Sequence, residues 1–438
     1  MKLNTAAAPA FTHKGGIASR IKPIDELRRT AAACFLWEDG FYESGEAVAD
    51  RLRRLVALCD PLDVRNVAIE ARQQHRLRHL PLLLLRELAR HPDPIGRTLV
   101  SGALPAVIQR ADELAEFLAI YWADGRQPLS GQVKIGLAEA FCKFDEYALA
   151  KYNRDGAIKL RDVLFMVHAK PRDAAQADLW KRLADGKLTP PDTWEVALSG
   201  GADKKATFER LLSESKLGYM ALLRNLRNMH QSGVDELLIW PALRDGAQRS
   251  KALPFRFVAA ARAVPQWETQ IDEAMQIATR DIARLPGKTC ILVDVSGSMA
   301  NKLSAKSDLR RIDAASALAV LIREISEWVA VCRFNYNASS VPSRRGMALI
   351  DAIGEPSGGT YLGQAVAEVK ESFTDIDRLI VVTDEQSADR VGSPAPGCKG
   401  YIINVAANRN GVGYGDWVHI NGFSESVVSF IAATEALG

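Results

Sequence analysis

Asp294-Val295-Ser296-Gly297-Ser298, set directly after the apolar run Cys290-Ile291-Leu292-Val293, decides how the second part of this chain folds. A short all-apolar run bounded by turn residues reads as a strand buried on both faces of a parallel sheet, and ligands of such sheets sit beyond the strands' carboxyl ends. Three oxygen side chains alternate at that end in the order D-x-S-x-S. They read as a divalent-metal site, because Mg²⁺ takes oxygen ligands in near-octahedral geometry and keeps several of its waters.

Two further segments supply donors. Gly358-Gly359-Thr360 precedes a helix-like stretch from Leu362 to Val369, so Thr360 is expected to cap that helix and to point its hydroxyl at a metal. Leu379-Ile380-Val381-Val382-Thr383-Asp384 is a second buried-strand run that ends in a carboxylate. Any one of these loops reads equally well as ordinary capping or turn chemistry. Together Asp294, Ser296, Ser298, Thr360 and Asp384 resemble the metal-ion-dependent adhesion site of a von Willebrand factor A domain, in which one D-x-S-x-S loop, one distant Thr and one distant Asp surround Mg²⁺ and leave a coordination position open.

The strand and helix pattern around these loops begins at Leu285-Pro286-Gly287-Lys288. It predicts strand 289–294, helix 312–328, strand 329–334, helix 362–373, strands 378–383 and 400–404, and a final helix 424–436: a doubly wound α/β domain over residues 286–438. Gly287-Lys288-Thr289 is not a phosphate-binding loop, since Ile282 stands where the motif needs its first glycine and the segment enters a strand.

Residues 1–285 read as helix after helix, with apolar residues at three- and four-residue spacing: Val48-Leu52-Leu55-Val56, Leu82-Leu85-Leu88-Ala89, Leu114-Phe117-Leu118-Tyr121 and Leu160-Val163-Leu164-Val167. Asp124-Gly125, Asp185-Gly186 and Pro190-Pro191 are among the breaks. Helices of this length with short polar connections predict stacked antiparallel pairs, a HEAT-like all-α array.

At 438 residues the chain exceeds what one hydrophobic core usually serves. Its 47% hydrophobic and 25% charged residues are those of a soluble globular protein. Neither an apolar leader after Met1 nor an apolar run of membrane-spanning length occurs, so the cytosol is the expected compartment. The six cysteines show no C-x-x-C spacing, which argues against a disulfide framework or zinc site. The net charge of +3 hides an asymmetry, +6 over residues 1–285 and −3 over 286–438. Arg72, Arg76, Arg78, Arg86 and Arg90 cluster between Arg65 and Arg97 with His75, His79 and His91, a candidate phosphate-binding face. Leu80 to Leu85 is core, so the Arg72, Arg76 and Arg78 side has the best claim to that face.

A helical-repeat domain ahead of such an A domain resembles the Ro autoantigen, or TROVE-domain, family in its bacterial form. Weak matching stretches support this: Glu26-Leu27-Arg28-Arg29, Glu38-Asp39-Gly40-Phe41-Tyr42, Lys151-Tyr152-Asn153-Arg154, His168-Ala169-Lys170-Pro171 and Ala221-Leu222-Leu223-Arg224-Asn225-Leu226. The resemblance implies that the repeats close into a ring bridged by the A domain. It further implies that small noncoding Y RNAs bind the outer surface, and that single-stranded 3′ ends of misfolded RNAs enter the central hole. It places Lys151, Arg154 and His168 at the Y RNA site, although the spacing from Lys151 to Arg154 is one residue shorter than the family's. Lys151 and Arg154 are expected on one helical face, where with Lys159, Arg161 and Lys170 they would meet phosphates.

The expected function is therefore a non-catalytic RNA-binding protein for quality control, or a tether to an exoribonuclease such as polynucleotide phosphorylase, closed within one chain and hence monomeric. No H-E-x-x-H, G-x-S-x-G or two-metal acidic cluster argues for an enzyme. The alternative is a metal-dependent protein-adhesion scaffold that needs no RNA.

Overall fold

The computed structural model describes residues 10–11, 17–18, 22–33, 45–73, 77–153, 156–250, 252–282, 284–303, 309–406, 416–421, 431 and 435. Among these, sixteen α-helices from Pro23–Ala33 to Glu268–Thr279 precede a six-stranded sheet. Polar residues start many of the helices. Asp93, Ser130, Asp145, Asp173, Asp203 and Asp235 each accept a hydrogen bond from a first-turn amide, a cap worth about 1 kcal/mol.

Alternate helices stack. Pro61–Gln73 packs on Pro94–Val107, which packs on Gly131–Phe141, which packs on Leu160–Val167; His79–Leu88 and Asp112–Tyr121 pair in a second layer. This is the HEAT-like architecture expected. Leu80 and Leu82 to Leu85 are buried between the layers as predicted.

The sheet's strands are β1 (Leu285–Asp294), β2 (Ser326–Phe334), β3 (Ala338–Ser340), β4 (Arg378–Thr383), β5 (Lys399–Asn404) and β6 (Trp417–Asn421). Their order is β3-β2-β1-β4-β5-β6, all parallel except the short edge strand β3. Helices Arg311–Ile325 and Leu362–Ser372 fall where predicted within a few residues. Helix Gly346–Ile353 and strands β3 and β6 were not expected, because each is too short to show a period. The final helix predicted over 424–436 lies outside the described residues, except that Ile431 and Glu435 are helical.

The change from helices to strands at Leu285 is not a break in the core. One buried cluster runs from Leu27 to Leu183; a second starts at Phe208 and continues through Trp267 and Ile271 into Ile291, Val293 and Ile403 of the sheet. Helices Pro254–Ala263 and Glu268–Thr279 pack on the sheet's own helices Arg311–Ile325 and Gly346–Ile353. At the other end helix Pro23–Ala33 lies against β6, so the helical array returns to the sheet. Cys59, Cys290 and Cys332 are buried, and no cysteine among the described residues forms a disulfide; Cys34 lies outside them.

Candidate metal centre and nucleic-acid interface

Strands β1 and β4 are neighbours, and their carboxyl ends carry Asp294 and Asp384, both fully buried. The Ser296 amide donates to Asp294 Oδ1 at 2.8 Å, and Thr383 Oγ1 donates to Asp294 Oδ2 at 2.5 Å. Ser296 Oγ lies 3.3 Å from Ser298 Oγ. Burial, and the Asp384 carboxylate beside it, push the Asp294 carboxyl up to about 7.

The third loop is stitched to the other two. The Ser357 amide donates to the Val295 carbonyl at 2.7 Å, and the Gly297 amide to the Gly358 carbonyl at 3.1 Å. Gly358 sits at φ +79°, where a Cβ would also come 2.6 Å from the Tyr336 ring. Thr360 is buried, and its carbonyl accepts from the Ala388 amide at 2.8 Å. Its expected capping role is not seen. The Leu362 amide donates instead to Ser387 Oγ at 3.0 Å, and the Gly363 and Gln364 amides to Asp389 at 2.9 and 2.7 Å. The loop after β4 therefore caps this helix and leaves the Thr360 hydroxyl uncommitted to it.

Two buried carboxylates end adjacent strands with the Ser296 and Ser298 hydroxyls on the loop after the first and the buried Thr360 on the loop stitched to it, and carboxylate and hydroxyl oxygens are the donor types a hard cation takes. Among the described residues no cluster of three His, Cys, Asp or Glu side chains offers a richer site. Sequence reasoning missed Arg311, whose Nη1 donates to Asp384 Oδ2 at 3.0 Å within the buried site. It also missed Glu385, buried at φ +58° with Oε1 3.3 Å from His419 Nδ1. Nothing in local spacing marks either residue, since their partners arrive from other elements.

The residues proposed for RNA divide into two groups. Lys151 ends helix Glu146–Tyr152, with Nζ 5.5 Å from the Tyr147 ring centroid and 5.9 Å from that of Tyr152. No carboxylate pairs with it among the described residues. His168 is exposed and holds a left-handed conformation, φ 53° and ψ 42°, at the end of helix Leu160–Val167. That conformation normally selects glycine and costs a histidine of order 1 kcal/mol. Lys170 is exposed, with its carbonyl 3.8 Å from Cys142 Sγ. Helices Glu146–Tyr152 and Leu160–Val167, which carry Lys151 and lead into His168, both pack on Ala174–Ala184. The helix carrying Lys151 stops at Tyr152 and Asn153 leaves helical geometry, and the shared face expected for Lys151 and Arg154 cannot be described beyond that point. Arg154 itself lies outside the described residues.

The arginine cluster is a different matter. Arg72 is only 10% exposed; it donates to the Val107 carbonyl at 3.0 Å and to the buried Glu113 at 2.8 Å. Arg78 donates to Asp112 and Glu116 and lies 3.6 Å from Glu113. Arg86 is buried against Glu87 and Asp124, and Arg90 also meets Asp124. The expected phosphate-binding face is therefore corrected for Arg72 and Arg78: they tie stacked helices together through acids some forty residues away. Arg76 lies outside the described residues.

Residues 179–313 match the TROVE domain family, a span that includes Asp294, Ser296, Ser298 and Arg311 but not Thr360 or Asp384. Telomerase protein component 1 of mouse and of rat are 34% and 33% identical over 90 residues, 19% of this chain. The chain spans about 3% of the length of these relatives. The crystal structure of the Ro (RSR) protein of Deinococcus radiodurans matches with a TM-score of 0.62 at 20% identity, over 94% of this chain and 99% of that one. Residues 179–313 are thus similar to the TROVE domain, and the chain as a whole shares the fold of the Deinococcus Ro (RSR) protein, a helical array joined to a parallel sheet domain.

Proposed function

We propose that this chain is an RNA-binding protein of the Ro type without catalytic activity of its own. A structured small noncoding RNA of the Y class docks on the outer helical surface at Lys151, His168 and Lys170. The observation that carries this reading is Lys151: a lysine with no acid partner among the described residues, between two tyrosines, on a helix that shares its packing neighbour with the one ending at the exposed, left-handed His168. Ammonium and imidazole groups so placed meet phosphates, and the tyrosines offer rings to bases.

Unpaired 3′ ends of misfolded RNA are the second ligand, and recruitment of an exoribonuclease such as polynucleotide phosphorylase through the bound RNA is the expected use. No helix among the described residues is long and apolar enough to cross a membrane. Action in the cytoplasm as a monomer completes the reading.

In the sheet domain Asp294, Ser296, Ser298, Thr360 and Asp384 would hold a divalent cation, most simply Mg²⁺, supported by the pairing of two buried carboxylates with hydroxyl donors. When bound, it offers an open coordination position to an acidic group of a partner. Arg311 meanwhile holds Asp384 in place, and Thr383 orients Asp294. This metal-dependent adhesion is compatible with RNA binding and is the second reading.

The test is a gel shift with a small structured RNA, with and without a single-stranded 3′ tail, across a salt series. Binding that weakens steeply with salt is expected. Absence of binding to either RNA at low salt would refute the RNA reading and leave the metal centre as the functional site.

A further inference from the structure

A surface pocket of about 370 Å³ opens where Trp122, Arg126, Gln127, Leu129, Lys134 and Met166 meet. None of these residues belongs to the metal centre or to the proposed Y RNA surface. Trp122 is the first residue past helix Asp112–Tyr121, and its indole Nε1–H donates to the Gln127 carbonyl at 2.7 Å, which fixes the ring against the loop that follows. The exposed Arg126 lays its guanidinium over that ring, 5.0 Å from the centroid. Lys134 rises from the first turns of helix Gly131–Phe141 on the far side.

The pocket sets two cations against an apolar floor. Arg72, Arg78, Arg86, Arg90, Arg110, Arg182 and Arg210 each pair with at least one carboxylate. Among the described residues no carboxylate pairs with Arg126 or Lys134. Two uncompensated cations therefore flank an indole, a thioether and a leucine. A bare anion would use the cations and waste the apolar floor, whereas an apolar ligand would ignore the charges. A nucleotide uses both: its base stacks on the indole or the guanidinium plane, and its phosphates meet Arg126 and Lys134. The volume falls at the small end of the ~300–1,000 Å³ range of ligand pockets, suited to one base rather than a duplex.

Position supplies the connection to the docked RNA. Cys142, whose Sγ touches the Lys170 carbonyl, follows Lys134 by eight residues of one helix, about 12 Å at 1.5 Å per residue. Met166, which lines the pocket, is two residues from His168. A few unpaired nucleotides span such a gap.

We propose that the Trp122 pocket binds one base of a single-stranded RNA segment, gripping the unpaired end of an RNA whose folded part sits at Lys151, His168 and Lys170. The proposal rests on the RNA-binding reading above. It adds a single-strand site with its own stacking and phosphate residues.

The experiment uses the full chain and two probes, a fluorescein-labelled hexa-adenylate and a tail-less structured RNA, followed by fluorescence anisotropy across a salt series. Trp122→Leu and the double variant R126A/K134A should each weaken hexa-adenylate about ten-fold or more, as expected for loss of one stacked base or two phosphate contacts. The double variant should also flatten the log affinity versus log salt slope by about 1.4, at about 0.7 per single-strand phosphate contact. Trp122→Phe, which keeps a ring, should retain most of the affinity and shows that loss in Trp122→Leu is not misfolding. Binding of the structured RNA should be unchanged in all of them.

Equal hexa-adenylate binding by wild type and variants would overturn the proposal. So would polyglutamate of matching charge if it bound as tightly and suffered equally from Trp122→Leu, since stacking would then play no part and the ligand would be an acidic peptide. If wild type holds the structured RNA and not hexa-adenylate, this proposal fails together with the unpaired-3′-end ligand, while docking of the structured RNA stands. If it holds neither, the RNA-binding reading fails with it.

Discussion

Arg311→Gln isolates what the buried cation does at the metal centre. The Arg311 and Asp384 side chains are 7% and 0% exposed and meet at 3.0 Å. Removing one partner of a buried ion pair costs about 3–5 kcal/mol, mainly because the other charge is stranded. Asp384 keeps the Gln386 amide at 3.3 Å but loses its buried cation beside Asp294, itself raised by burial and by Asp384 to about 7, so a loss of about 4 kcal/mol is expected. Unfolding entropy runs near 2.1 cal/mol/K per residue, or about 0.3 kcal/mol/K for a domain of about 150 residues. The midpoint should then fall by about 13 °C if the sheet domain melts alone, and by about 4 °C if the whole chain melts as one unit.

Two controls tie the loss to charge. The Asp294 carboxyl is raised on folding, from 3.8 to about 7, so its ionisation opposes the fold. That penalty is absent below 3.8, grows as pH rises through the interval, and is complete above about 7. The deficit of Arg311→Gln should therefore be largest near pH 8 and shrink toward pH 5, where the Asp294 carboxyl takes a proton. A divalent cation supplies the missing positive charge, so millimolar Mg²⁺ should recover more midpoint in the variant than in wild type. The assay is differential scanning calorimetry at both pH values, with chelator or with Mg²⁺. Equal midpoints in chelator at pH 8 would refute the pairing argument, and a deficit that Mg²⁺ leaves untouched would refute the metal site.

Glu113→Gln should cost about 3 kcal/mol in thermal melts, since the buried Glu113 takes Arg72 at 2.8 Å and the Gln109 and Arg110 amides at 2.7 and 3.1 Å; RNA affinity should not move. Gly358→Ala forces a side chain into left-handed backbone and against Tyr336, which should cost about 1–3 kcal/mol and reduce any Mg²⁺-dependent rise in midpoint. Lys151→Ala should weaken a structured RNA regardless of sequence and lower the magnitude of its salt slope by about 1, measured by gel shift, while leaving the melting temperature within about 1 °C of wild type.

What could be read in advance from this chain was local and periodic. Leu379 to Val382 is apolar without interruption, a pattern only a strand buried on both faces explains, and β4 occupies the expected residues Arg378–Thr383. The D-x-S-x-S run likewise follows the strand whose burial it announced. Thr360 shows where this ends. Its hydroxyl stands two residues before a helix and looks like a cap, yet the capping oxygens come from Ser387 and Asp389, some twenty-five residues on, which only folding brings near. The same distance hides the core that crosses Leu285.

Charge shows the limit most sharply. Between Arg65 and Arg97 the arginines outnumber the acids, and a count along the chain makes that stretch look like a phosphate-binding surface. Stacking of alternate helices delivers Asp112, Glu113, Glu116 and Asp124 to Arg72, Arg78, Arg86 and Arg90, and much of the excess is cancelled inside the protein. In a helical-repeat fold, a cluster of cations in sequence is thus as much a sign of inter-helix ion pairs as of RNA. Among the cations that remain after those pairs are subtracted, Lys151 beside its tyrosines and Arg126 and Lys134 around Trp122 are scattered in sequence, and they acquire meaning only from the aromatic rings the fold sets next to them.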